Sequence, residues 1–83
     1  MKMKIFSLRD QKTDAFMSPM AMQTPGQMVR MLIDEMNNTE SMLQKHPQDF
    51  ELFEIGEFDS ETGKVTEQTP KSVVLLIDLK AKA

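Results

Sequence analysis

Read for the spacing of apolar and polar positions, the chain divides into short extended segments around one amphipathic stretch. Ile5, Phe6 and Leu8 follow Lys2 and Lys4, the pattern of a first strand over Met3 to Leu8 that becomes more buried along its length. The polar run Arg9 to Asp14 is a turn. Ala15 to Gln23 alternates again, with Phe16, Met20 and Met22 on one side and Met17 and Ala21 on the other. Pro19 has no amide donor, so this second strand belongs at an edge or is broken by a bulge. Thr24-Pro25-Gly26-Gln27 then carries the chemistry of a helix start: a hydroxyl cap, proline at the first helical position and glutamine to complete a capping box. Met28, Val29, Leu32, Ile33 and Met36 recur at spacings of three and four, so the main helix spans about 24–37. Thr39 can cap a short second helix, about 39–45, which Pro47 ends.

Phe50 to Phe58 is strand-like, but its alternation slips between Leu52 and Phe53 and it contains Gly56, which predicts a bulge near the glycine. Asp59 to Lys64 is a hairpin turn with Gly63 free to take a positive φ. Val65 to Gln68 is the returning strand. After Pro70, the apolar run Ser72 to Ile77 favours a buried strand over a helix, and residues 72–79 leave both open. The order predicts an α+β domain: a small, mostly antiparallel sheet of four to five strands with one main helix packed on it.

Size changes this picture. Eighty-three residues, 1–83, form a single domain with a thin core, and such domains often recruit a disulfide, a metal or a second subunit. There is no cysteine, and one histidine leaves too few soft ligands for a transition metal, so a homodimer is the expected support. Its expected interface is the edge strand, through Met17, Met20 and Met22, since methionine makes adaptable contacts. The N-terminal segment lacks the apolar stretch of a secretory signal, and the longest apolar run, Val73 to Ile77, is far too short to span a membrane. A cytoplasmic protein is the expectation.

The net charge is −3, unevenly spread: +1 over residues 1–45 and −4 over residues 46–83. Positive charge gathers at Lys2, Lys4, Arg9 and Lys12, and again at Lys80 and Lys82. These six are the candidate phosphate contacts, joined in one patch if the two terminal strands are neighbours. Catalysis has little support. Activating a serine or threonine needs a base, and His46, the only imidazole, sits where it would interact with the carbonyls of a helix end. The carboxylates Glu51, Glu54, Glu57, Asp59 and Glu61 alternate with apolar residues, as on a solvated strand face. Asp59-x-Glu61-x-Gly63 lacks the rest of a calcium loop. The three glycines are scattered, so no phosphate-cradling loop exists. Core packing is the expected role of the five phenylalanines, although any exposed on the sheet could stack single-stranded bases. The chain therefore reads as a binding protein without cofactor or metal.

Two stretches carry a family likeness: Lys4-Ile5-Phe6-Ser7-Leu8-Arg9-Asp10, and His46-Pro47-Gln48-Asp49-Phe50 leading into Leu52-Phe53-Glu54-Ile55-Gly56-Glu57-Phe58-Asp59 and Thr62-Gly63. In them the chain resembles the small nonstructural protein of gokushovirus-type microviruses, phages with circular single-stranded DNA genomes. The resemblance implies a nonstructural protein of the bacterial host cytoplasm, described as DNA-binding and assisting genome replication or packaging. Its partners would be single-stranded DNA or a viral or host replication protein. The alternative is an assembly or regulatory protein acting only through protein contacts.

Overall fold

The computed structural model describes residues 1–82. Its elements are β1 (Lys2–Asp10), β2 (Ala15–Phe16), β3 (Met20–Met22), α1 (Pro25–Glu35), α2 (Met42–Lys45), β4 (Phe50–Asp59), β5 (Val65–Leu75) and α3 (Leu76–Lys80), with a 3-10 turn at Pro47–Asp49. All strand pairs are antiparallel. β1 lies between β4 and the two short strands β2 and β3, and β5 forms the opposite edge. The expected α+β sheet is present, with five strands.

Local chemistry explains the first half. Pro19 breaks the second extended segment into β2 and β3, both at the β1 edge, as a residue without an amide donor requires. At α1 the Thr24 hydroxyl accepts the Gln27 amide at 3.2 Å, and Pro25 begins the helix. The Gln27 side chain accepts from Gln23 rather than from Thr24, so the reciprocal bond is set one residue early. Ser41, not Thr39, caps α2 by accepting from Leu43, which shortens that helix to its last turn. His46 closes α2, donating its amide to the Met42 carbonyl at 2.9 Å.

The second half departs further from expectation. Val65 to Leu75 is one continuous strand that carries Pro70 within it. The register jumps from Gly56↔Glu67 to Glu54↔Lys71, so Gln68, Thr69 and Pro70 bulge opposite the single residue Ile55. A bulge at an edge is where a strand proline is tolerated. The favoured strand over Ser72 to Ile77 is corrected beyond Leu75: residues 76–80 turn helical. Leu76 and Leu79, three apart, both become buried against the core, which a strand's alternation would not permit.

One face of the sheet packs on the helices. Phe6, Leu8, Phe50 and Leu52 meet Met28, Leu32 and Met36 of the α1 segment and Leu76 and Leu79 of α3. Within α1 the buried positions recur every four residues, so a single stripe of the helix faces the sheet. The opposite face of the sheet contributes nothing to this cluster.

Candidate binding surface

Register decides what surrounds the N-terminal lysines. β1 runs beside β4 so that Lys4 stands opposite Glu57 and Lys2 opposite Asp59. Lys2 Nζ is 3.6 Å from Glu57, and Lys4 Nζ is 3.4 Å from Glu57 and 3.9 Å from the buried Glu54. The Met1 ammonium is 3.4 Å from Glu61. Three cations thus share a surface with four carboxylates, Glu54, Glu57, Asp59 and Glu61, and the local charge is not positive. Asp59 is held below the usual carboxylate range, chiefly because its side chain accepts the Glu61 amide, helped by the nearby ammonium, the Thr62 amide and Lys2.

The remaining basic candidates lie at the other end of the sheet. Arg9 pairs with Asp14 in the β1–β2 turn. Lys12 borders a shallow depression of about 290 Å³ that also holds Asp10, His46 and Asp49. Lys80 donates to the Gln44 carbonyl at 3.2 Å, and Lys82 lies just past α3. Because α3 follows the end of β5 that pairs with Glu51, and Asp10 pairs with Phe50, Lys80 belongs to the Arg9 and Lys12 end. Lys2 and Arg9 are seven residues apart on one strand, roughly 23 Å. The six basic residues therefore do not form one patch.

Of the three methionine candidates, Met20 and Met22 are half-buried against the core, whereas Met17 is exposed. Met17 and Met20 do come together, on an apolar groove of about 380 Å³ between the β2–β3 connection and the helices. Met31 and Leu43 complete its apolar wall, and Glu35 is its one carboxylate. Sequence reading missed Met31, because a helix methionine near an apolar stripe looks like core filling.

The sheet's other face was also missed. Met3, Ile5, Phe53 and Phe58 share it by register, with Phe16 and Val65 at its rim. Phe16 and Phe53 make an edge-to-face contact with ring centroids 5.5 Å apart. Only Phe6 and Phe50 of the five phenylalanines enter the buried core. The slip at Leu52–Phe53 was the signal: adjacent apolar residues on a strand mean that both faces carry apolar groups. Among the described residues no three His, Asp or Glu side chains converge as a metal site, and no helix is long and apolar enough to cross a membrane.

A family model described as "Phage ORF5 protein" matches residues 3–79. The chain belongs to the phage ORF5 protein family. The match runs from the second residue of β1 into α3, so the family relation covers all but the first residue of the sheet and nearly all of the core helices. No curated protein and no solved structure matches this phage ORF5 chain.

Proposed function

We propose that this phage ORF5 protein is an accessory factor that acts by binding a protein, without catalysis, and that the groove beside Met17 and Met20 is the contact site. The carrying observation is the state of the cations. Lys2, Lys4 and Arg9 already face carboxylates, so phosphate would have to displace those partners within an acidic surround. The groove offers the opposite chemistry. It is apolar, lined by flexible methionines, and carries only Glu35 as charge, which favours an apolar peptide segment bearing one lysine or arginine.

From the sequence resemblance we further infer a microvirus nonstructural protein of the bacterial host cytoplasm. Assistance to genome replication or packaging would then run through a viral or host replication protein. Affinity recovery from infected cells tests this: the partner should remain bound after nuclease and at high salt, and Met17→Glu with Met31→Glu should release it. Loss of the partner on nuclease treatment would overturn the reading.

Direct binding of single-stranded DNA is the second reading, and one observation favours it. The Phe16–Phe53 pair lies on the open sheet face beside Arg9, an arrangement on which bases can stack. Under that reading, Phe16→Ala should weaken binding and Arg9→Gln should flatten the slope of log affinity against log salt by roughly 0.7. Under the protein-contact reading, fluorescence anisotropy with an oligonucleotide should find no binding at physiological salt, for wild type and Arg9→Gln alike.

A further inference from the structure

The open face has an internal order. Along β1, Ser7 and Met3 stand two residues on either side of Ile5, and their partners on β4 are Phe53 and Phe58. At the level of Ile5 the neighbours are small, Ala21 on β3 and Gly56 on β4. Two aromatic ridges therefore flank a low saddle; Met3, Ile5, Phe53 and Phe58 are each half-buried, Ser7 is buried and donates its hydroxyl to the Met17 carbonyl, and the core helices pack on the opposite face.

We infer that a second copy of the chain covers this face, the two sheets packing face to face about a twofold axis that crosses the strands at the level of Ile5. Such an axis carries the Ser7 level of one copy onto the Met3 level of the other. The Phe16–Phe53 pair then lies over Met3 and Phe58 of the partner copy, and the same contact recurs at the far end. Aligned sheets of this kind stand about 10 Å apart with strands offset by about 30°.

Area, edges and shape all point to a second copy. β1 and β4 pair from Lys2↔Asp59 to Asp10↔Phe50 and the sheet is four strands across, a footprint of roughly 30 by 19 Å. That is of the same order as the ~800 Å² each partner contributes to a stable interface. Growth at the edges is hindered instead, because Pro19 interrupts one edge and the bulge at Pro70 the other. The radius of gyration is 13.0 Å, against about 12 Å for a compact chain of this length. A chain with one uncovered sheet face has that excess. The centre of the face carries no charge, so an identical surface suits it without opposite charges. Glu67, on β5 at the Ile5 level, meets its own copy near the rim, so added salt should leave the dimer unchanged or tighten it.

The pairing is independent of the groove, and its test uses the full chain. Sedimentation or light scattering at tens of micromolar should give about twice the 9.5 kDa chain mass. Phe53→Lys and the more exposed Phe16→Glu should each give a monomer with an unchanged far-ultraviolet circular dichroism spectrum. Phe16→Glu still decides the matter if Phe53→Lys does not fold. Because the chain has no cysteine, Ala21→Cys should be linked to its own copy by a bismaleimide of about 10 Å span, while Thr62→Cys, in the β4–β5 turn far from the axis, should not. A monomeric wild type would overturn the proposal. So would a dimer that survives Phe16→Glu, or one in which Ala21→Cys is not linked.

Discussion

A methyl group on Gly56 would meet the Thr66 carbonyl oxygen at 2.7 Å, and that oxygen belongs to backbone that cannot swing aside. Gly56→Ala should therefore lower stability by about 1–3 kcal/mol, measured as a drop in the urea midpoint. Gly63, at φ +75°, meets nothing, so its alanine variant bears only the left-handed backbone cost of about 1–2 kcal/mol. Asp59 predicts an acid-range effect of known sign. Its folded pKa is depressed, so its contribution is complete above the ordinary aspartate pKa and is lost as pH falls through the lowered folded value. A carboxyl-carbon NMR titration should place its midpoint below the ordinary aspartate value, and Asp59→Asn should flatten the stability loss in that acid window.

At the scale of elements, α3 makes the sharpest prediction. Leu79→Ala should cost about 2–5 kcal/mol in thermal or urea unfolding, while Ile77→Ala, on the outer side at 44% exposure, should change little. A strand through residue 79 would put Ile77 and Leu79 on one face and make their costs alike. This element also marks where sequence reading stopped. α1 was legible because its start is written locally, in a capping threonine, a proline and a glutamine. The boundary at Leu75–Leu76 was not, because Val73 to Ile77 is uniformly apolar and the change from strand to helix is decided by where Leu76 and Leu79 find cover. The cations were misjudged for a related reason. Lys2 and Lys4 read as a free basic cluster until a register spanning more than fifty residues sets Glu57 and Asp59 opposite them. The bulge at Ile55 shifts that register; the slip at Leu52–Phe53 and Gly56 hinted at a bulge there but not at the partner it would face.

For the molecule as a whole, the placement of β1 beside β4 also orders events in time. The hairpin of β4 and β5 and the pairing of β1 with β2 and β3 are local, each closing a short loop. The central pair is not, since Lys2 pairs with Asp59 and Asp10 with Phe50 across the chain that carries α1 and α2. Closing so long a loop costs entropy before any contact repays it, which slows folding. Stopped-flow refolding should then show that Leu8→Ala, at the β1–β4 seam, slows folding, whereas Val65→Ala, beside the β4–β5 turn and 65% exposed, changes neither rate much. During synthesis the consequence is sharper still: Ile5, Phe6 and Leu8 leave the ribosome some forty residues ahead of β4. Until β4 follows, β1 remains an apolar strand with one edge unclaimed, dependent on the speed of its own translation.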